Sequence, residues 1–168
     1  MTGPKILDGW VWAMAGGSPA HAAMAVNVST MLSTQLRNRP CRVFGADLRI
    51  RVLATGLGTY PDVSVVCWKL ELDPEDPKGH TVVNPRVVVE VTSPSTVEYD
   101  RGEKLEHYQR IDSLEEVVIV SHDELRVDVW RRSEARQWEL ETARDGAVRL
   151  RSIDCELPLD DVYYDPLE

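Results

Sequence analysis

One short run of residues constrains the fold of this chain more than any other. Residues 86–92 read RVVVEVT, and such a nearly continuous β-branched stretch is typical of a central strand that is covered on both faces. A glutamate inside it, Glu90, is unusual because a charged side chain is seldom buried unless it is paired or binds a metal. The run therefore predicts a buried strand and an acid with a specific partner.

A second acid, Asp62, opens the apolar strand predicted for residues 62–68. If this strand pairs with the one that carries Glu90, the two carboxylates converge at one end of the sheet. At about 4 Å and an effective dielectric constant near 20, they would repel each other by roughly 4 kcal/mol. A divalent cation would turn that repulsion into binding, so the pair is a candidate metal site.

Three further polar residues are expected to lie over the same end of the sheet. A helix is predicted from Ser95 or Thr96 to about residue 110, and Asp100, Lys104 and Tyr108 share one face of it because they are four residues apart. Two carboxylates, a third acid, an ammonium group and a phenol suit metal-assisted phosphodiester hydrolysis. In such a site the lysine would orient the attacking water or neutralise developing charge.

The remaining pattern predicts one α/β domain over residues 1–168, with a sheet that has antiparallel parts. The first helix is expected to start at the cap Ser18 with Pro19 in its first turn and to end near residue 37. Residues 73–85 are expected to form an exposed loop, and residues 157–164 a closing helix or turn. The other predicted strands cover residues 10–14, 42–44, 47–53, 116–121, 125–132, 137–142 and 148–150.

Composition limits the partners of the chain. The formal net charge is −9, so nucleic acid cannot be bound by general attraction to phosphate, and binding would need a local basic patch, a metal or a partner. The pair Arg131-Arg132 with Arg136 is either a solvated hairpin or a weak phosphate patch. The charge-free stretch 9–36 is too polar and too interrupted for a membrane span, which leaves a soluble protein as the expectation.

The cysteines favour a cytoplasmic protein with reduced thiols. The chain has 3 cysteines, Cys41, Cys67 and Cys155. Their number is odd, their spacing is wide and they contain no CxxC pair. We therefore expect neither a zinc site nor a disulfide framework.

The central motifs resemble a known family. The strings PDVSVV at 61–66, VVVEVTSPST at 87–96 and DRGEK at 100–104, followed by Tyr108, are similar to those of the Uma-type family, which belongs to the PD-(D/E)XK nuclease superfamily. The resemblance extends from about Leu7 through Ser18-Pro19-Ala20-His21 to residues 157–159. It implies a restriction-endonuclease-like core, in which a central mixed β-sheet is flanked by helices.

The resemblance also implies roles for individual residues in a metal-dependent endonuclease that cleaves nucleic acid, with DNA as the expected substrate. Asp62 and Glu90 would bind Mg²⁺ or Mn²⁺ together with the backbone carbonyl of Val91. The superfamily lysine normally stands two residues after the acid, where this chain has Thr92. Lys104 of the following helix is then the candidate catalytic lysine.

Three residues are assigned supporting roles in this reading. Asp100 would anchor Lys104 or support the metal. Tyr108 and His21 could reach the site, and His21 matches a family position. Many relatives carry an acid after Asp-Gly, whereas this chain has Trp10 after Asp8-Gly9.

Two alternatives and one assembly remain open from the sequence. The first alternative is a non-catalytic interaction domain that keeps the nuclease fold. The acidic charge, Thr92 and Trp10 favour this alternative. The second, a two-carboxylate glycosidase, would need aromatic platforms around the sugar, and none is evident near either acid.

The predicted hairpin 125–142 carries Trp130 and Trp138 at a possible sheet edge, which predicts a homodimer.

Overall fold

The computed structural model describes residues 5–7, 10–12 and 17–168, the first two segments as backbone strands. Asp8, Gly9 and the 13–14 part of the first predicted strand lie outside the described residues. The strands are β1 Lys5–Leu7, β2 Trp10–Trp12, β3 Cys41–Phe44, β4 Arg49–Arg51, β5 Gly58–Thr59, β6 Val63–Cys67, β7 Thr81–Val82, β8 Val87–Val91, β9 Glu116–Val120, β10 Val127–Arg132, β11 Trp138–Ala143, β12 Ala147–Leu150 and β13 Cys155–Pro158. The helices are α1 Pro19–Gln35, α2 Val97–Arg101, α3 Glu103–Tyr108 and α4 Leu159–Val162.

A six-stranded mixed sheet forms the centre of the molecule. Its strand order is β11-β10-β9-β8-β6-β3. The β8–β9 pair is parallel, whereas β6 pairs with β8 in antiparallel orientation. A second sheet has the order β2-β1-β5-β4-β7, and β12 and β13 form a separate hairpin.

Strand β8 is buried on both faces, as its sequence predicts. Val87, Val89 and Val91 pack in one apolar cluster with residues of α1, α4 and the β12–β13 hairpin. Val88 packs in a second cluster with residues of α3 and the smaller sheet. Because Glu90 alternates with Val89 and Val91, its side chain is expected on the Val88 face.

Helix α1 has the predicted cap and buries one apolar stripe. The Ser18 side chain accepts a hydrogen bond from the backbone N–H of His21, and Pro19 is the first helical residue. Met24, Val28 and Leu32 are buried against the sheet. The cap therefore determines where His21 stands in the first turn.

Several elements differ from expectation because they are too short or too irregular to have a period. The single helix predicted over residues 95–110 is two helices, α2 and α3, separated at Gly102, where a Cβ atom would lie 2.9 Å from the carbonyl oxygen of Glu98. The predicted loop 73–85 contains β7, and the closing segment contains the end of β13 followed by α4. Strand β1 was not predicted.

The expectation of three free thiols is wrong. Cys41 and Cys67 stand opposite each other on β3 and β6 and form a disulfide across a sequence separation of 26 residues. Strand register brings these two residues together, and no local spacing signals it. Cys155 is free and buried. Within the part of the chain that the structure describes, no helix is long and apolar enough to cross a membrane.

Candidate functional site

The two acids predicted as metal ligands lie at the same end of the six-stranded sheet. Strands β6 and β8 pair in a register that places Val63 opposite Val89, so Asp62 and Glu90 are the next residues along the two strands. Asp62 is buried, and its Oδ2 atom accepts a hydrogen bond of 2.8 Å from the backbone N–H of Val91. The sequence analysis had to assume that these two strands pair. The antiparallel pairing of β6 and β8 brings the two acids together.

Two side chains of α3 contact the carboxylate of Glu90. The Lys104 ammonium lies 2.5 Å from Glu90 Oε1, and the Tyr108 hydroxyl donates a 2.5 Å hydrogen bond to the same oxygen. Lys104 also donates to Asp100 Oδ1 at 3.3 Å. All four side chains are buried. The shared helix face thus survives the break at Gly102, and it forms a compact group around one carboxylate oxygen.

Burial and neighbouring charges shift the protonation of this group. Burial raises the pKa of Glu90 to about 7, although the positive charge of Lys104 opposes the shift. Burial alone would lower the pKa of Lys104, but the Glu90 and Asp100 carboxylates outweigh it and raise that pKa. Burial and the Glu90 carboxylate raise the pKa of Tyr108 well above its usual value. Lys104 and Tyr108 therefore keep their protons at neutral pH, whereas Glu90 titrates near it.

His21 approaches the site from the opposite face of the sheet. Its Nε2 atom lies 3.0 Å from the carbonyl oxygen of Val91 and 3.4 Å from Asp62 Oδ2. The contact with Asp62 raises the pKa of the imidazole, against the opposing effect of burial. His21, Asp62 and Gly45 are among the residues that line a cavity of about 260 Å³. His21 is therefore close enough to Asp62 and to the Val91 carbonyl for the predicted supporting role.

Thr92, which stands where the superfamily has lysine, belongs to a different contact. Its hydroxyl lies 2.8 Å from Nδ1 of His122 and accepts a 3.1 Å hydrogen bond from the His122 backbone N–H. Its own N–H donates to the Val120 carbonyl. Thr92 thus fastens the end of β8 to the end of β9, while Lys104 reaches Glu90 from the helix.

The donor atoms at this end of the sheet suit a hard cation. The hydrogen bonds described above engage Asp62 Oδ2 and Glu90 Oε1, and the Val91 carbonyl oxygen lies 3.0 Å from His21 Nε2. Among the described residues, no group of three or more His, Cys, Asp or Glu could hold a metal by itself. Mg²⁺ usually keeps several waters and takes only one or two carboxylates, so two acids and a carbonyl are a sufficient protein contribution.

Sequence reasoning missed the residues that hold α2 in place. The Arg101 guanidinium binds the buried Asp128 carboxylate and donates a 2.6 Å hydrogen bond to Ser121. Arg126 and Thr142 complete the set of hydrogen bonds to Asp128. The signal was available, because Asp128 interrupts an apolar strand in the same way as Glu90 does.

Comparison with known proteins places this arrangement in a family. The family model Uma2, described as "Putative restriction endonuclease", matches residues 4–159, which include all the candidate site residues. The chain belongs to the Uma2 family. The resemblance inferred from the PD, VVVEVT and DRGEK strings is therefore confirmed.

Two relatives and one solved structure are also similar to this chain. An uncharacterized protein from Synechocystis is 34% identical over 161 residues, covering 95% of this chain and 82% of the relative. A second one from the same organism is 27% identical over 136 residues, covering 81% and 76%. A crystal structure from Anabaena variabilis, described as "a putative nuclease belonging to DUF820", superposes with a TM-score of 0.74 at 20% identity, covering 96% of this chain and 90% of that one. The nuclease-like fold, a central mixed sheet flanked by helices, is thus confirmed.

Proposed function

We propose that this protein is a metal-dependent endonuclease that hydrolyses phosphodiester bonds of nucleic acid, with DNA as the first substrate to test. The observation that carries the proposal is the convergence of Asp62, Glu90 and Lys104 at one end of the sheet, with Lys104 Nζ 2.5 Å from Glu90 Oε1. The descriptions of the family and of the Anabaena protein support the same class of reaction.

Each residue of the site has a distinct task in this proposal. Asp62 Oδ1, Glu90 Oε2 and the Val91 carbonyl would hold Mg²⁺ or Mn²⁺, which when bound lowers the pKa of a water ligand and stabilises charge on phosphate. Lys104 keeps its proton and would orient the attacking water or stabilise the negative charge that develops on the phosphoryl oxygens. Asp100 fixes the position of the Lys104 ammonium group.

Two side chains would keep the acids in position. The Tyr108 hydroxyl holds Glu90 Oε1, which leaves Oε2 for the cation. His21 contacts both Asp62 and the Val91 carbonyl, so it restrains the carboxylate and the backbone oxygen on the other side of the sheet. Neither group needs to exchange a proton during the reaction.

The test is nicking of supercoiled DNA by the purified protein in the presence of Mg²⁺ or Mn²⁺. Asp62→Asn, Glu90→Gln and Lys104→Met should each abolish cleavage, and the first two should also abolish Mn²⁺ binding measured by calorimetry. Glu116→Gln is the matched control. Glu116 is a buried acid at the opposite end of β9, bound to Arg131 and Ser152. That variant should lose stability but keep metal-dependent cleavage.

A catalytically inactive interaction domain is the second candidate, and one observation favours it. Lys104 and Tyr108 both occupy Glu90 Oε1, and together with Asp100 they form a closed group of buried partners. Such a group would be stable without any metal. On this alternative, the wild-type protein binds neither Mg²⁺ nor Mn²⁺, cuts no DNA, and tolerates Asp62→Asn with unchanged or higher stability.

The expected homodimer is proposed on the basis of the outer strand of the sheet. Trp130 and Trp138, on which the prediction was based, are partly buried against the core. Strand β11 nevertheless lies at the edge of the sheet, and Leu140 in its middle is 48% exposed. An uncovered edge can pair with another chain. Sedimentation at high micromolar concentration should show a dimer, and a strict monomer would refute it. A cytoplasmic location loses the support of free thiols because of the Cys41–Cys67 disulfide, and it remains a prediction for cell fractionation.

A further inference from the structure

Three arginines stand in one cross-strand row at the end of the sheet opposite the candidate site. Arg42 on β3 pairs with Val66. Arg86, directly before β8, donates its backbone N–H to Val65 and so continues that row. Arg132 on β10 is two strands further along the sheet order. Neighbouring strands are about 4.8 Å apart, so these arginines recur at intervals of about 10 Å.

No carboxylate of the described residues is in direct contact with the guanidinium groups of this row. None of Arg42, Arg86 and Arg132 forms an ion pair with a carboxylate of the described residues. Arg86 donates instead to the Ser152 carbonyl and Arg132 to the Ile111 carbonyl. Other arginines do form such pairs: Arg51, Arg101, Arg126, Arg131, Arg144 and Arg149. Glu115 stands in the same row between Arg86 and Arg132, so the row keeps a net positive charge on a chain whose net charge is −9.

Two tryptophans accompany the row. The Arg86 guanidinium lies 5.0 Å from the centroid of the Trp68 ring, and the Arg132 guanidinium lies 4.7 Å from that of Trp138. Trp68 is 72% exposed and has a positive backbone φ of 60°. A large side chain rarely adopts that conformation, and such strain is concentrated at functional sites. The aromatic surface of Trp68 is thus held out into solvent beside a cation.

We propose that Arg42, Trp68, Arg86, Arg132 and Trp138, here called the arginine–tryptophan surface, bind a nucleic-acid strand with unpaired bases. Guanidinium groups would contact its phosphates, and Trp68 would stack on a base. Trp138 is partly buried against the core, so Trp68 supplies the exposed ring. Cations beside an exposed aromatic ring are the usual basis of single-strand binding. The choice of ligand rests on the proposed nuclease function, and the surface provides the local basic patch that an acidic chain needs.

The arginine–tryptophan surface lies at a distance from the candidate site. Arg86 precedes Glu90 by four positions of an extended strand, which corresponds to roughly 13 Å. A strand bound at the arginine–tryptophan surface would therefore contact the protein away from the bond positioned at Glu90. It would add affinity and a preference for unpaired substrate, but no catalytic group.

Glutamates next to the arginine–tryptophan surface reduce its positive charge, and they provide a second test. Arg86 and Arg132 line a cavity of about 730 Å³ together with two other arginines and four glutamates: Arg131, Arg151, Glu115, Glu116, Glu134 and Glu139. Glu139 is exposed on β11 and forms no ion pair among the described residues. Its charge would repel phosphate at the rim of the cavity. Removing it should strengthen binding, which a purely structural account of the surface would not predict.

The experiment is fluorescence anisotropy of a labelled thymidine oligonucleotide, without divalent metal and over a range of salt concentrations. Arg42→Gln should reduce the salt slope of the binding constant by about 0.7, as expected for one lost phosphate contact to a single strand. Trp68→Ala should weaken binding by about 5-fold to about 150-fold and leave the salt slope unchanged, because stacking releases no counterions. Glu139→Gln should tighten binding.

Matched controls come from other exposed parts of the chain. Arg144→Gln removes an arginine whose side chain is 59% exposed and paired with Glu124. Tyr164→Ala removes an aromatic residue that is 62% exposed. Both controls should bind as the wild-type protein does. Binding of polyphosphate, which has no bases, should depend on Arg42 and not on Trp68.

The inference is overturned if the wild-type protein does not bind the oligonucleotide at low salt, or if Arg42→Gln and Trp68→Ala bind like wild type. Equal affinity for a duplex of the same length would overturn the preference for unpaired bases. The proposed nuclease function fails separately. It fails if the wild-type protein shows neither metal binding nor cleavage, whatever the anisotropy shows, because the binding assay contains no metal.

Discussion

The buried position of Lys104 makes its removal a sharp test of the site's energetics. Lys104 is in contact with Glu90 at 2.5 Å and Asp100 at 3.3 Å, and the three side chains are almost completely buried. Lys104→Met keeps the volume but leaves two carboxylates without a cation. Breaking a buried pair in this way costs about 3–5 kcal/mol, because the remaining charge is desolvated and unpaired. Urea denaturation, compared at equal m-value, measures this loss in the free energy of unfolding.

The cost should depend on pH in a direction that the pKa values determine. In the wild-type protein Glu90 has a pKa of about 7, and loss of Lys104 would raise it further. At pH values from about 7 up to the raised pKa of Glu90 in the variant, the folded variant then carries about one more proton than the folded wild-type protein. The loss in the free energy of unfolding caused by Lys104→Met therefore decreases by about 1.4 kcal/mol for each unit by which the pH is lowered within that range. Below it both proteins are protonated and the cost levels off.

A double variant separates the lost charge pair from other effects of the methionine. Adding Glu90→Gln to Lys104→Met removes the unpaired charge, and the Tyr108 hydroxyl can still donate to the amide oxygen. We expect the double variant to recover to within about 2 kcal/mol of wild type. A cost below about 1 kcal/mol for Lys104→Met, or one that does not change with pH, would refute the reasoning.

Three further predictions concern the metal, the disulfide and the cavity. Mn²⁺ binding should strengthen as the pH rises through about 7, because a ligand must be deprotonated and Glu90 has a pKa of about 7; calorimetry that finds pH-independent affinity contradicts this. Cys41→Ser should lower the free energy of unfolding by about 2–4 kcal/mol under oxidising conditions, and its Tm should not change when reductant is added. If the Tm of the wild-type protein is also unchanged by reductant, the disulfide between Cys41 and Cys67 is contradicted. Gly17→Ala should displace the His21 ring, since its Cβ would lie 2.4 Å from Nδ1; unchanged His21 imidazole resonances in NMR spectra would contradict that contact.

Elements with a strong local pattern could be predicted closely. The β-branched run of β8, the capped stripe of α1 and the alternating β10–β11 hairpin all have a period that local chemistry imposes. The two-residue strands β5 and β7 could not be predicted, since two residues have no period. The break at Gly102 was missed because the helix stripe of Asp100, Lys104 and Tyr108 continues across it.

The candidate site was predictable for a different reason. An acid inside an apolar strand signals a partner, and this signal led to Glu90 and could have led to Asp128. It does not say which partner. That Glu90 receives Lys104 and Tyr108, while Asp128 receives Arg101, depends on which helix turn packs over which strand.

By itself the sequence determined the elements with a strong period, the two acids Asp62 and Glu90, and the polar face of the helical segment that follows β8, because these depend on neighbours along the chain. Only the tertiary structure decided what depends on strand order and register. It placed His21 against Asp62, joined Cys41 to Cys67 and aligned Arg42, Arg86 and Arg132 in one row. The physical reason is that a strand's period determines which face a residue occupies, whereas its companions across the sheet are set by pairing with distant segments.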